Sequence, residues 1–232
     1  MNRILAIIPA RGGSKRLPRK NVLPLAGKPL IQWTIDAAKA VASIDTVMVS
    51  TDCSEIANIS QQCGAEVPYL RSAELSSDTA SSIDVVLDVI RHYESKGRIF
   101  DSILLLQPTS PLRASEDIEK AIALMADKNA NGVVSVTECE HSPLWCNTLP
   151  DDLGMDNFIP EELTARRSQD LPTYYRLNGA VYLVKKEIVV RDSSLFPQQH
   201  SFALVMDNNH SVDIDNELDF KLAEMIKASK QG

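Results

Sequence analysis

This sequence has few of the cysteine pairs, long apolar runs and signal segments that mark redox, membrane-spanning or secreted proteins. Its 232 residues include four cysteines, and no two of them form a Cys-x-x-Cys pair. The longest apolar runs fall far short of the about 20 residues that cross a bilayer. The first residues lead directly into a strand pattern and lack the design of a signal peptide. We therefore expect a cytoplasmic protein with reduced thiols and no membrane partner.

Positive charge and histidine are also limited. The formal net charge is −7, so the overall charge does not attract nucleic acid, and we expect no nucleic-acid partner. The four histidines are scattered along the chain, which disfavours a histidine-based metal site. An apolar content of 44% and a charged content of 24% are ordinary for a globular protein. The length suits one large α/β domain with an appendage.

The stretch from residue 4 to residue 28 organises the chain. Its apolar run Ile4–Ile8 is typical of a strand buried on both faces of a parallel sheet. Gly12-Gly13-Ser14 then allows a tight turn with exposed backbone N–H groups. Five of the ten residues from 11 to 20 are basic: Arg11, Lys15, Arg16, Arg19 and Lys20. The stretch is neither a P-loop nor a dinucleotide fingerprint. Its place after the first strand predicts a cradle for phosphate oxygens, and a solvated basic loop is the alternative.

Strand and helix patterns alternate along the rest of the chain. Strand patterns occur at 46–52, 66–70, 102–106 and 133–136. Helical patterns begin at 28, 54 and 116 and again at the end of the chain, and a further helix capped by Asp78 or Ser81 runs to about Glu94. Ser115 is the expected cap of the helix over 116–128. This alternation predicts an α/β fold with a doubly wound, mostly parallel sheet.

The periodicity lapses over 137–176, which contains four prolines at Pro143, Pro150, Pro160 and Pro172. A structureless loop of this length is uncommon inside a compact domain, so we predict an extended arm or a small subdomain. Disorder is the alternative, but Trp145, Phe158, Tyr174 and Tyr175 argue against it. The chain then divides into an α/β domain at 1–136 and 177–232 and an arm at 137–176 inserted in it.

Four segments together resemble the acylneuraminate cytidylyltransferase family, also called CMP-sialic acid synthetases. They are the segments at 10–21, 71–82, 106–113 and 178–180, which read ARGGSKRLPRKN, RSAELSSDTASS, LQPTSPLR and NGA. The resemblance spans nearly the whole chain. It implies a Rossmann-like nucleotidyltransferase fold and transfer of CMP from CTP to the anomeric hydroxyl of a nonulosonic acid, with release of pyrophosphate. It also implies a homodimer in which the arm of one subunit borders the sugar site of the other.

The resemblance implies a role for individual residues. The implied nucleotide-binding residues are Ala10, Arg11, Gly12, Lys15, Lys20, Asn21, Arg71 and Ser82. The implied sugar-binding residues are Gln107, Arg167, Arg176, Asn178 and Tyr182. Catalysis is assigned to Arg11, Lys20, Asp213 and Asp215. For each arginine of the sugar set, a surface ion pair is the alternative.

Two positions depart from the family pattern and leave the sugar open. Ser168 stands where relatives place an arginine, so Arg167 is assigned in its place, and Trp145 stands where some relatives place a lysine. N-acetylneuraminate is the first expectation for the sugar, and legionaminic, pseudaminic or eight-carbon acids are the alternatives. A nucleotide-binding regulatory module without catalysis is the alternative from another class.

Asp213 and Asp215 flank one apolar residue shortly before the last helical pattern. In an extended backbone both carboxylates lie on one side of the chain. Mg²⁺ usually takes one or two carboxylates together with substrate phosphates. The alternative is that these acids cap the last helix, which is the role we expect for Glu217 and Asp219. The resemblance implies that Asp213 and Asp215 are the Mg²⁺ pair.

Overall fold

The apolar run near the amino terminus forms β1 (Ile4–Pro9), a strand inside the central sheet. Residues 2–163, 166–167 and 170–229 are described in this computed structural model. The other elements, in chain order, are β2 (Pro24–Leu25), β3 (Lys28–Pro29), α1 (Leu30–Lys39), β4 (Ile44–Ser50), α2 (Ser54–Gln62), α3 (Ser82–Ser95), β5 (Ser102–Leu105), α4 (Ser115–Asp127), β6 (Gly132–Glu138), β7 (Tyr175–Lys185), α5 (Lys186–Asp192), β8 (Ser201–Val205) and α6 (Glu217–Ser229).

The central sheet has the strand order β4-β1-β5-β7-β6-β8. The pairs β1–β4, β1–β5 and β6–β8 are parallel, whereas β7 runs antiparallel to both of its neighbours. The predicted mostly parallel α/β fold is therefore confirmed, with one reversed strand. The chain passes from β1 to one side at β4 and to the other side at β5, so the carboxyl end of β1 lies at a switch in strand order, where open α/β sheets bind ligands.

Helices cover both faces of the sheet. Along β1, Ile4, Ala6 and Ile8 pack in the cluster that contains buried residues of α1, α2 and α4. Leu5 and Ile7 pack on the other face with buried residues of α3 and α5. This alternation explains why the run is apolar at every position, as expected for a strand between two helical layers. No helix in the described part of the chain has the length and apolar character needed to span a membrane.

A third apolar cluster attaches α6 to the small hairpin formed by β2 and β3. It contains Leu25, Leu30, Leu112, Ile214 and Ala223. Ile214 is fully buried, and its backbone N–H donates to the carbonyl of Thr109 at 2.8 Å. The residue between the two predicted metal carboxylates is thus the anchor that fixes this segment beside the turn after β5.

The predicted strand at 66–70 is wrong. Glu66 forms a single parallel bridge with Met48, and the following residues lie outside the sheet. The predicted helix at 28 begins two residues later, because Lys28 and Pro29 pair with β2. The remainder of the helical pattern holds as predicted, since the buried residues of α1 recur at helical spacing.

One predicted helix cap is confirmed and another is wrong. Ser81 caps α3, and its hydroxyl accepts from the Asp84 N–H at 3.2 Å, as predicted. The cap position of α4 is Ala114 rather than Ser115, and the Asp117 carboxylate accepts from the Ala114 N–H at 2.9 Å. Both β8 and α5 are additions, because neither was predicted from the sequence.

The region between β6 and β7 has neither an α-helix nor a strand among its described residues. It contains the 3₁₀ turns Pro143–Trp145 and Glu161–Leu163. Thr137 and Arg176 pair with each other in the register of β6 and β7, so both predicted ends of the arm lie in the sheet. The arm exposes large apolar side chains at Leu149, Leu153 and Met155.

Candidate active site

A cavity of about 530 Å³ opens at the carboxyl edge of the sheet, above β1 and β5. Its walls come from the basic loop after β1, the 71–82 segment and the turn after β5. The predicted site residues that line it are Arg11, Lys15, Lys20, Asn21, Arg71, Ser82, Gln107 and Asp215. The nucleotide motifs therefore converge on one cavity, although they are far apart in the sequence.

The cations of the basic loop meet carboxylates in this structure. Lys15 and Arg11 both contact Asp78 in the opposite wall, at 2.5 and 2.9 Å. Hydrogen bonds from Lys15 and, next, from Arg11 hold the pKa of the Asp78 carboxyl below its usual value. Arg16 contacts Asp215 at 2.8 Å. These exposed pairs contribute little stability, so a phosphate group can replace the carboxylates as the partner of the same cations.

Lys20 is the most enclosed of these cations. Its residue is 9% exposed, its ammonium group donates to the carbonyl of Ile214, and it lies 3.5 Å from Asp215. Arg19 adopts a left-handed conformation (φ 58°) just before the 3₁₀ turn that contains Lys20. The turn thus places one ammonium group between the basic loop and the acidic pair.

Ala10 and Gly12 attach the backbone of the basic loop to the end of β4. Ala10 is buried, and its N–H donates to the Ser50 carbonyl of β4 at 2.9 Å. The Gly12 N–H donates to the Asp52 carboxylate at 2.8 Å, and a Cβ at Gly12 would lie 2.9 Å from Cβ of Cys53. Only glycine therefore allows this close approach of the loop to the end of β4. Neither residue lines the cavity through a side chain.

Arg71 is a buried cation with free donors. The residue is 8% exposed, and no described group accepts a hydrogen bond from its Nε or Nη2. Desolvation lowers the pKa of its guanidinium. Burying donors without partners is costly, so the arrangement suits a ligand that supplies acceptor atoms.

Asn21 and Ser82 complete the wall near Arg71. The Asn21 amide donates to the Arg11 carbonyl at 3.1 Å, and its buried Oδ1 has no hydrogen-bond partner among the described residues. Ser82 is the first residue of α3, where backbone N–H groups favour a polar or anionic ligand. The wall therefore offers both free donors and a free acceptor, which is what an aminopyrimidine edge requires.

Asp213 and Asp215 flank Ile214, whose backbone is bonded to the turn after β5. Desolvation raises the pKa of the Asp213 carboxyl above its usual value, the like charge of Asp215 adds to this, and a hydrogen bond from Thr109 opposes it. No ion pair between described residues includes Asp213, and no cluster of three or more potential metal ligands occurs in the same part of the chain. Two adjacent hard-oxygen donors fit a divalent ion that takes its remaining ligands from phosphates and water.

The cap of α6 is separate from this acidic pair. The Asn216 side chain accepts from the N–H groups of Leu218 and Asp219, and the Asp219 carboxylate accepts from those of Asp215 and Asn216. Glu217 pairs with Lys221 at 2.7 Å. The capping interpretation therefore applies to Asn216 and Asp219, and the carboxylates of Asp213 and Asp215 are left for another role.

Gln107 lines the cavity, whereas Tyr182 does not. The side chain of Gln107 lies over Gly179 (φ +73°), where an added Cβ would come within 2.8 Å of Gln107 Oε1. Tyr182 pairs with Leu105 and Val134 and is half-buried. Burial raises the pKa of its phenol, and the nearby Asp213 charge acts in the same direction.

Asn178 faces the protein interior. Its residue is 2% exposed, its Oδ1 accepts from Ser135 Oγ at 2.6 Å, and its Nδ2 donates to Ser211 Oγ at 2.9 Å. Its amide oxygen and nitrogen therefore both have protein partners, and the sugar contact stays a prediction.

Arg176 and Arg167 lie outside the walls of the cavity. Arg176 is exposed at the start of β7 and lies 3.6 Å from Glu140. Arg167 is exposed on the arm. Ser168, where relatives place arginine, lies outside the described residues. A single chain therefore does not bring the predicted carboxylate-binding arginines to the cavity.

Arg113 is a buried charged residue next to the site that the sequence analysis passed over. It closes the LQPTSPLR motif, is 3% exposed, and donates from Nη1 to the carbonyls of Ala180 at 2.8 Å and Gln107 at 3.3 Å. Desolvation lowers the pKa of its guanidinium to about 9. A charged residue among buried apolar positions of a turn was the available signal. Arg113 fixes Gln107 against β7.

Comparison with known proteins decides the family. A family model described as Cytidylyltransferase matches residues 5–223. A CMP-N,N'-diacetyllegionaminic acid synthase of Legionella pneumophila is 40% identical over 235 residues, which cover 99% of this chain and 98% of that protein. The chain belongs to the cytidylyltransferase family.

Two further comparisons of this cytidylyltransferase are with another relative and with a solved structure. An N-acylneuraminate cytidylyltransferase of Streptococcus agalactiae is 38% identical over 218 residues, or 93% of this chain and 51% of that longer protein. The solved structure of a CMP:2-keto-3-deoxy-manno-octonic acid synthetase complexed with CTP aligns with a TM-score of 0.72 at 18% identity, covering 99% of this chain and 100% of the other. The latter comparison concerns the fold alone. The resemblance inferred from the sequence motifs is thereby confirmed.

Proposed function

We propose that this cytidylyltransferase joins CMP from CTP to the anomeric hydroxyl of a nonulosonic acid and releases pyrophosphate. The observation that carries the proposal is the convergence of free Arg71 donors, the loop cations and Asp215 on one cavity. Such a cavity offers a site for a base edge, a site for a triphosphate and a site for a cation. In this reaction the sugar oxygen bonds to the α-phosphorus, the bond to the pyrophosphate oxygen breaks, and the hydroxyl loses its proton.

The chain's own residues would act by placement and charge. Arg11, Lys15 and Lys20 would bind phosphate oxygens, and Lys20 would stabilise the charge that spreads over the transferred group. Arg71, Asn21 and Ser82 would hold the cytosine. Gln107 and Tyr182 would orient the sugar so that its hydroxyl lies in line with the leaving oxygen.

Cytidylyltransferases of this kind generally use a divalent metal, and we propose Mg²⁺ on Asp213 and Asp215. The bound ion would polarise the phosphate and lower the pKa of the attacking hydroxyl. Asp215 would exchange its Arg16 and Lys20 contacts for the ion, and Asp213 already stands free of ion pairs among the described residues.

The sugar we propose first is a legionaminic acid derivative, because the Legionella relative is similar over nearly the full length of both chains. N-acetylneuraminate is the second candidate, on the similarity to the streptococcal protein. The proposed location is the cytoplasm, which fits the four free thiols of the chain.

Pyrophosphate release tests this function. The assay combines CTP, UTP, ATP or GTP with a diacetyllegionaminic acid, a pseudaminic acid, N-acetylneuraminate or an eight-carbon acid. We expect CTP to exceed UTP by about tenfold or more, because one lost buried hydrogen bond costs roughly 1–3 kcal/mol. Equal turnover with UTP would contradict the nucleotide assignment. No sugar-dependent release with any pair would indicate a regulatory nucleotide-binding module instead.

A second prediction concerns assembly. Leu149, Leu153 and Met155 are 52%, 68% and 59% exposed on the arm of the single chain, and a second copy is the partner we propose for them. The dimer would bring the partner's arm, with its arginines, to each sugar site. Light scattering at micromolar concentration should give twice the chain mass, and Leu153→Asp with Met155→Asp should give the monomer mass. A wild-type chain that is a well-folded, active monomer would overturn this.

A further inference from the structure

We propose that Asn178 is a positioning residue, which together with Ser135 and Ser211 holds the segment carrying Asp213 and Asp215 in place. This inference rests on the proposed function, because it assigns the network a role in presenting the acidic pair. It replaces the sugar contact that the sequence motif implied for Asn178. The inference is based on the burial of the three side chains and on the direction of their hydrogen bonds.

The network begins at a large bulge in β7. Val134 pairs with Tyr182 and Val136 pairs with Leu177, so one residue of β6, Ser135, lies opposite four residues of β7. The hydroxyl of Ser135 fills this gap by accepting from the Val181 N–H at 2.8 Å and donating to Asn178 Oδ1 at 2.6 Å. A bulge of this kind re-aims side chains next to active sites, and here it turns Asn178 inward.

Asn178 then links the sheet to the loop before α6. Its Nδ2 donates to Ser211 Oγ at 2.9 Å, and Ser211 Oγ donates to the Asp207 carbonyl at 2.7 Å. Ser135 and Ser211 are fully buried and Asn178 is nearly so. Hydrogen bonds that run in one direction through a buried line support one another. Ser211, the last side chain of this line, lies two residues before Asp213.

Besides the Ser211 anchor, the acidic segment is held by a side-chain hydrogen bond from Thr109 to Asp213 and by attachments farther along the chain. Ile214 is held by the Thr109 carbonyl and by Lys20, and the Asp215 N–H is held by Asp219. Residues 212 and 213 lie between those attachments and Ser211. Without the Ser211 side-chain anchor, the backbone leading into Asp213 loses one of the supports that set the distance between the two carboxylates, which a shared cation needs. None of the three network side chains lines the cavity.

The experiment compares Ser211→Ala and Asn178→Ala with Ser60→Ala. Ser60 is an equally buried serine whose hydroxyl donates to the Ile56 carbonyl within α2, so its loss controls for a missing buried hydroxyl away from the site. Hydrogen exchange of peptides covering 211–216 is measured without any ligand. The Mg²⁺ concentration for half-maximal turnover and the KM for sugar are measured with CTP.

We expect Ser211→Ala and Asn178→Ala to raise the hydrogen-exchange rate of residues 211–216 by up to about tenfold. The Mg²⁺ concentration for half-maximal turnover should rise by up to about the same factor. The KM for sugar should stay within about twofold, and Ser60→Ala should change none of the three. The inference would be overturned if Asn178→Ala raised the KM for sugar tenfold while Ser211→Ala left the Mg²⁺ dependence and the exchange of 211–216 unchanged. That result would restore the sugar contact as the role of Asn178. If wild-type protein shows no turnover, the proposed function fails, while the exchange measurement still decides whether the network holds the segment.

Discussion

Asp215→Asn is expected to lower turnover by about two orders of magnitude or more, comparable to losing an electrostatic stabiliser worth roughly 2.7–4 kcal/mol. The carboxylate lines the cavity and lies between Arg16 and Lys20. Asparagine keeps the shape but loses the charge that a divalent ion requires. The fold should be little affected, because Asn216 and Asp219 cap α6. Steady-state turnover with varied Mg²⁺ and thermal unfolding are the measurements.

Asp213→Asn separates a metal role from an ion-pair role. Asp215 has basic partners within 4.0 Å, whereas Asp213 has none in the described chain. An equally large loss in Asp213→Asn, with at most partial rescue by Mn²⁺, therefore points to the cation. The matched control is Asp219→Asn, which keeps an oxygen acceptor for the backbone and should remain active. Full Mg²⁺-dependent activity in both Asp213→Asn and Asp215→Asn would show that the ion is held elsewhere.

Elements with a local signal were predictable from the sequence. The run at Ile4–Ile8, the amphipathic pattern of α3 and its Ser81 cap all depend on neighbouring residues. The reversed direction of β7 was not predictable, because a strand has the same side-chain period in either direction. The 66–70 segment has an apolar strand composition, but it contacts the sheet at a single bridge, and this is decided by tertiary packing.

The candidate site also contains residues that the sequence could predict and others whose orientation it could not. Arg11, Lys20 and Arg71 belong to loop motifs whose backbone turns carry their side chains to the cavity, so the motif was sufficient to find them. The NGA motif also marked an important place, but the bulge opposite Ser135 turns the amide of Asn178 away from the cavity. Side-chain direction at a bulge depends on the partner strand, which a motif in one strand does not record.

Arg71→Met should weaken CTP binding by about a hundredfold or more without lowering the stability of the free protein. The two donors without partners, Nε and Nη2, are the groups we assign to the base, and hydrogen bonds from charged groups contribute about 1.5–3 kcal/mol each. In the free protein the same donors are buried and unsatisfied, so removing them relieves a desolvation cost. Methionine fills a similar volume, and the backbone bond from Arg71 N–H to the Thr51 carbonyl is retained. Calorimetric titration with CTP and thermal unfolding of the free protein measure the two effects.

Arg98→Met is the control, because the guanidinium of this exposed arginine already has protein acceptors. Arg98 contacts the Glu66 carboxylate at 2.8 Å and stacks over the Tyr93 ring at 4.8 Å. Its loss should lower the unfolding temperature and leave CTP affinity unchanged, the opposite of the result for Arg71→Met. The opposite signs follow from one difference, namely whether the guanidinium has its acceptors before the ligand arrives. If Arg71→Met unfolds at a lower temperature and binds CTP as the wild type does, Arg71 is a structural residue and the base is read by other groups.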